Sequence, residues 1–269
     1  MIGVFDSGYG GLTILKEFVK ELPQYDYCYF GDNARMPYGS RSFETVYRYT
    51  LECAKCLYDK GCRLIILACN TASAKALRTI QQRDLPVLDA QLRVLGVIRP
   101  IAERTGQYTK SGHVGVLATS GTVSSLSYPV EINKLYPHIQ VFQEACPIWV
   151  PLVEYNEYGK EGADYFVRQH IENLFCKSPY IDVIILACTH YPLLIDKIKK
   201  YVPKGIKILL QGEIVAESLT DYLRRHPEID GKLGKNGKQI FLTTDSPKLF
   251  DQQASIFFGK NINSAHVTI

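Results

Sequence analysis

IILACTHYP, residues 184–192, opens as an apolar run and closes in a polar turn. The aliphatic residues, largely β-branched and without polar alternation, predict a strand covered on both faces, as a parallel sheet requires. Cys188 ends that strand, and Thr189, His190 and Tyr191 occupy the turn. Pro192 suits the first position of a helix, where its missing N–H costs nothing. A thiol at the carboxyl end of such a strand stands where open α/β sheets bind ligands. Residues 65–73, IILACNTAS, make the same element a second time, with Cys69 placed as Cys188 is. The repeat predicts two thiols brought to one site.

Composition narrows the classes around this pair. A chain of 269 residues buries a substantial core as one large domain or two ordinary ones. The net charge of +4 is small and the lysines are scattered, so no nucleic-acid partner is expected. The densest basic run, Lys197 to Lys207, alternates with Ile, Tyr and Val and reads as a solvated helix face. No apolar stretch approaches the roughly 18 residues of a membrane span. The chain opens directly with a strand, so no signal peptide and a cytoplasmic location are expected. In that reduced compartment the eight cysteines are expected as free thiols, most of them inside apolar periodic segments. Cys53 and Cys56 form a C-x-x-C without a matching Cys/His pair, on a helical stripe with Val46, Thr50 and Leu57. They read as core residues, not zinc ligands.

Strands and helices alternate along the whole chain, which predicts parallel sheets covered on both faces. Met1 to Phe5 is an apolar strand, followed by Asp6, Ser7 and Gly8-Tyr9-Gly10-Gly11. This resembles a dinucleotide-binding start, but the third glycine falls at Thr13 and Asp6 would set a carboxylate beside the pyrophosphate. Asp6 reads better as a polar group at a strand's carboxyl end, with glycines that let a substrate approach the backbone. Further strands are expected at Tyr25 to Phe30, Arg63 to Ala68, Leu85 to Leu88, His113 to Ala118, Ile139 to Ala145, Ile206 to Leu210 and near Gln239. A helix is expected near Val94 to Glu103, and a proline-bounded loop from Cys146 to Glu154. Ile2-Gly3-Val4 is echoed by Val114-Gly115-Val116, at nearly the spacing of the thiol strands. The fold class is therefore α/β: two pseudo-symmetric parallel-sheet domains with the active site in the cleft between them. Residues 1–94 plus 209–269 form the first, with Asp6 and Cys69. Residues 95–208 form the second, with Cys188 and His190.

Two thiols at equivalent strand ends suit moving a proton from one face of a carbon to the other. A thiolate removes the proton while the opposite thiol donates one. An unperturbed thiol is only about 3% ionised at neutral pH. Helix N-termini after both strands are expected to stabilise the thiolates. Asp6 and His190 are candidate relays, and Glu154, in a loop after a strand, is a candidate partner for His190. A cysteine hydrolase using Cys188 and His190 remains open, although it leaves Cys69 without a task. A non-catalytic module for small acids would need no paired thiols.

Five co-ordered motifs now carry a resemblance over essentially the whole chain: VFDSGYGG from Val4, GDNARMPYG from Gly31, ACNTAS from Ala68, VPLVE from Val150 and ACTHYPLL from Ala187. Together they resemble bacterial glutamate racemases of the aspartate/glutamate racemase family. The resemblance implies interconversion of L- and D-glutamate without cofactor or metal, supplying D-glutamate for peptidoglycan synthesis and hence for cell-wall biogenesis and cell shape. It implies Cys69 and Cys188 as the acid/bases, assisted by Asp6, Glu154 and His190. Asp6, Ser7, Tyr38, Gly39, Asn70, Thr71, Thr189 and His190 are implied as substrate contacts. The partner is the small-molecule substrate, with no nucleic acid and no membrane; a homodimer stays open as the assembly state. Asn33, Ala187, Leu210-Gln211 and Asp89-Ala90-Gln91 depart from the usual pattern, yet none removes an acid/base. A family member acting on aspartate or another small acid is the alternative.

Overall fold

The computed structural model describes residues 1–269. Ten strands form two sheets, and every strand pair is parallel. The strands are β1 (Ile2–Asp6), β2 (Tyr27–Gly31), β3 (Leu64–Leu67), β4 (Arg93–Gly96), β5 (His113–Ala118), β6 (Gln140–Ala145), β7 (Val183–Ala187), β8 (Lys207–Leu209), β9 (Gln239–Thr243) and β10 (Ser264–His266). The first sheet runs β10-β9-β2-β1-β3-β4 and the second β6-β5-β7-β8. Four strands of the first sheet, β2-β1-β3-β4, thus have the spatial order of the whole second sheet.

The repeat extends to register. Ile65 of β3 stands opposite Gly3 of β1, and Ile184 of β7 stands opposite Gly115 of β5. Each thiol strand is central in its sheet and buried along its whole length, as its unbroken aliphatic sequence requires. Their carboxyl ends deliver Cys69 and Cys188. Near the C-terminus β9 pairs onto β2 and β10 onto β9, and so they extend the first sheet. One continuous apolar cluster joins residues of both sheets, from Ile2 and Val4 through Trp149 to Val183 and Ile184. A second cluster fills the other face of the first sheet and takes in Cys28, Cys53 and Cys62. No helix is long and apolar enough to cross a membrane.

Three sequence expectations are corrected. Leu85–Leu88 is helical, the end of an irregular helical run from Leu77. Pro86 has no N–H for a ladder, and Val87 lies almost wholly in solvent. The strand is instead Arg93–Gly96, and the helix begins only at Ile98. Trp149–Glu154 is a helix, not a loop, so Glu154 is its last residue.

Candidate active site

Cys69 leaves β3 and caps the helix Asn70–Lys75, its Sγ accepting from Ala72 N at 3.5 Å. The same thiol donates to Ser7 Oγ at 3.5 Å, which ties it to the loop after β1. The two repeats diverge at Cys188. There a 3-10 turn, Tyr191–Leu194, follows the strand, and the helix starts only at Ile195. A helix N-terminus therefore stands directly behind Cys69 alone, and there the Ala72 N–H favours the thiolate without offsetting burial, so the expected stabilisation of both thiolates is not met. Pro192 fixes a tight turn in the second copy, and that turn presents His190 instead. His190 Nδ1 lies 3.9 Å from Cys188 Sγ, and its Nε2 lies 3.0 Å from Glu154 Oε1.

Asp6 is fully buried at the end of β1. Its Oδ1 accepts from Gly8 N at 2.9 Å, and its Oδ2 accepts from the Thr189 hydroxyl at 3.3 Å. The carboxylate of the first half therefore reaches the turn that carries the thiol of the second. Thr13 Oγ1 donates to Thr189 O at 3.1 Å and fastens the same turn.

Both thiols line one small cavity of about 210 Å³. Ser7, Tyr38, Gly39, Asn70 and Thr71 reach its wall from the first half. Glu154, Thr189 and His190 reach it from the second. Asp6 does not; it sits behind the wall, under Gly8 and Thr189. Tyr38 spends its hydroxyl on buried Asp32, so the phenol end is turned away from solvent and held. The loop bearing Tyr38 and Gly39 is tied down twice. Gly121 N donates to Gly39 O at 2.7 Å, and Lys75 Nζ donates to Arg41 O at 2.7 Å. Thr71 and Thr119 share a hydroxyl contact of 2.9 Å across the halves.

Thr119 and Ser120 also line the cavity and were not singled out from sequence. The signal was available: the Gly3/Gly115 echo aligns Ser7 with Thr119, each the fourth residue after the matched glycine. Pro147, Val150 and Pro151 were missed because the segment reads as a loop until it packs as a helix.

Burial dominates the electrostatics. It pushes Cys69 up to about 12, aided by the Asp6 carboxylate and opposed by Ala72 N–H and the Ser7 hydroxyl. Asp6 itself is raised by burial, against the pull of His190 and the N–H groups of Gly8 and Gly11. His190 behaves in the opposite way. Burial draws it down, but its contacts with Cys188 and Glu154 outweigh that and raise it to about 10. At neutral pH the imidazole therefore carries two protons and a positive charge, while Cys69 holds its proton. In this state the Cys69 thiol and the imidazolium are both proton donors, and they line one cavity together with Cys188.

Comparison with known proteins decides the lineage. A family described as Asp/Glu/hydantoin racemase matches residues 2–218. The chain belongs to the Asp/Glu/hydantoin racemase family. Within it, the chain is 39% identical to the glutamate racemase of Geobacter metallireducens, over 98% of this chain and 95% of that protein. The crystal structure of a glutamate racemase from Bacillus anthracis superposes with a TM-score of 0.90 at 34% identity, covering 100% of this chain and 97% of that one. That of Francisella tularensis, in complex with D-glutamate, gives 0.87 at 31% identity, covering 100% and 96%. An aspartate racemase of Picrophilus torridus shares the fold at a TM-score of 0.54 and 22% identity. These likenesses place this member of the family with the glutamate racemases.

Proposed function

We propose that the chain interconverts L- and D-glutamate without cofactor, using Cys69 and Cys188 as two acid/bases on opposite faces of the α-carbon. One thiolate takes the α-proton: the C–H bond breaks and an S–H bond forms. The other thiol gives its proton to the opposite face of the carbanion, so an S–H bond breaks and a C–H bond forms. The net result is inversion, with the two sulfurs exchanging protonation states. The observation that carries this reading is the duplicated IILAC strand, whose two thiols line one cavity.

In the resting protein Cys69 keeps its proton and is the donor. The cationic His190 stands beside Cys188, so negative charge is best accommodated there and the first abstraction falls to Cys188. Glu154 holds the imidazolium in place. For the opposite enantiomer the proton must start on Cys188, and each sulfur therefore needs its own neighbours. Asp6, whose charge acts on Cys69, serves that side as a carboxyl relay, while its bond to Thr189 fixes the carboxyl in place. Ser7, Asn70, Thr71 and Thr189, with the backbone of Tyr38 and Gly39, hold the two carboxylates and the ammonium of the substrate. The D-glutamate formed serves peptidoglycan synthesis in the cytoplasm.

The test is incubation of the purified protein with L-glutamate in deuterated water, with no cofactor added. Early D-glutamate should carry deuterium at the α-carbon while recovered L-glutamate stays protiated. A single base that exchanges with solvent would label both pools equally, and that result would refute the two-thiol mechanism. Absence of any D-glutamate would refute the activity itself.

A further inference from the structure

Directly behind Cys69 lies a buried polar ring in which Asn70 is joined by Gln211 and Tyr128, two residues that none of the steps above employs. The Asn70 amide donates from Nδ2 to Gln211 Oε1 at 2.6 Å. Gln211 Nε2 donates back to Asn70 Oδ1 at 3.0 Å and to the Tyr128 hydroxyl at 2.6 Å. Tyr128 in turn donates to Asn70 Oδ1 at 2.7 Å. All three side chains are at most 3% exposed. They come from three separate parts of the chain: the helix Asn70–Lys75, the helix Ser127–Leu135 and the helix Gln211–Arg225. Tyr128 is aimed inward by the turn at Leu126, a non-glycine residue held at φ 56° with its own side chain left in solvent.

Two amides and a phenol are an expensive way to fill apolar space, since each polar group must be desolvated before it is paired. What the ring supplies that apolar packing does not is orientation. An isolated flip of the Asn70 amide would set donor against donor and acceptor against acceptor. An asparagine amide has two N–H groups and two oxygen lone pairs; Asn70 spends both lone pairs and one N–H on the ring. One N–H is left. It belongs to a residue on the cavity wall, next to Cys69, whereas neither Gln211 nor Tyr128 lines that cavity.

We propose that Gln211 and Tyr128 are positioning residues that clamp the Asn70 amide, so that its remaining N–H is fixed as a donor to a substrate carboxylate beside Cys69. The inference rests on the reading of the cavity as a glutamate site. It makes Asn70 a pre-oriented carboxylate donor and assigns its orientation to two residues outside the cavity wall.

The test is steady-state kinetics of Tyr128→Phe, Gln211→Met, Asn70→Ala and the double variant Asn70→Ala/Tyr128→Phe, with L- and D-glutamate and with thermal melts alongside. Each single variant should raise KM about tenfold for both enantiomers, the scale of one hydrogen bond to a charged group, with kcat changed less than about threefold. The double variant should raise KM no further than Asn70→Ala alone, because the clamp has nothing left to hold. A structural role alone would lower the melting temperature and leave KM in place. Unchanged KM in Tyr128→Phe, which removes a single oxygen, would overturn the proposal even if Gln211→Met failed to fold. So would KM effects that multiply in the double variant. A wild-type protein inactive on glutamate would overturn the racemase reading and this inference with it. An active wild type beside kinetically silent variants would overturn this inference alone.

Discussion

Replacing Glu154 by Gln isolates the charge that keeps His190 protonated. Gln retains an oxygen able to accept from His190 Nε2, 3.0 Å away, so the ring stays where it is while the negative charge disappears. His190 is raised from an ordinary 6.5 to about 10 despite burial that draws it down, with Cys188 and Glu154 the two groups that raise it. If each supplies a comparable part, removing the Glu154 charge lowers the imidazolium by about 1–2 pH units, or about 1.4–2.7 kcal/mol. The sign follows from the protonated form being the one in use. A raised pKa keeps the cation present up to higher pH; a lowered one removes it earlier as pH rises. The alkaline limb of kcat/KM in Glu154→Gln should therefore fall at about pH 8–9, below whichever group sets the wild-type limb. Near pH 7 most of the imidazolium survives, so the loss there should be under about tenfold. Rates measured by polarimetry from pH 6 to 10, in both directions, test this. An alkaline limb left at the wild-type pH in a folded variant would refute the assignment of His190 as a cation held by Glu154.

Other outcomes follow from the same geometry. In Gly10→Ala the new Cβ would lie 2.5 Å from His190 Nδ1 and 2.7 Å from Cε1, and would press on Thr189, so the catalytic turn must move by most of an ångström. A misplacement of that size should lower kcat by about a hundredfold while circular dichroism shows the fold intact; wild-type kcat would show that the turn is free to give. His190→Asn and Asp6→Asn should each change the ratio of forward to reverse kcat, in opposite senses, because one neighbour serves Cys188 and the other Cys69. The kcat/KM values must still fall equally in both directions, since mirror-image substrates have an equilibrium constant of one. An unchanged kcat ratio in both variants would show that neither neighbour is specific to one thiol. Activity should survive a chelator and a carbonyl reagent and be abolished by thiol alkylation, and loss with chelator alone would overturn the cofactor-free mechanism. Glutamate should be preferred over aspartate by at least about tenfold in kcat/KM, because a shorter acid leaves buried donors unpaired. Comparable values would favour a broader small-acid racemase.

Legibility followed the range of the forces involved. The repeated IILAC run determined that two buried parallel strands end in thiols, because side-chain shape and continuous hydrophobicity are local properties. The same repeat, with the Gly3 and Gly115 echo, determined that two halves share one strand order, and the register at Ile65 and Ile184 follows it. His190 at two residues from Cys188 was readable too, since nothing distant is needed to place it in the turn. Short apolar runs were not readable: Leu85–Leu88 and Val94–Gly96 look alike in sequence, and only the open edge beside β3 decides which becomes a strand.

Contacts between segments far apart in the chain belonged to the tertiary structure. Glu154 meets His190 because a helix forms where the prolines around Trp149 suggested a loop. Asp6, in the half that carries Cys69, reaches Thr189 because the ends of β1 and β7 come together. Gln211, a departure without evident purpose in the linear sequence, finds Asn70 and Tyr128 only when the last helices fold back on the first sheet. Charge was decided there as well: burial and the distant Asp6 raise Cys69, and the distant Glu154 joins Cys188 in raising His190. Burial raises the Cys69 thiol but draws the His190 imidazole down, so the cation exists only because Cys188 and Glu154 outweigh the low dielectric.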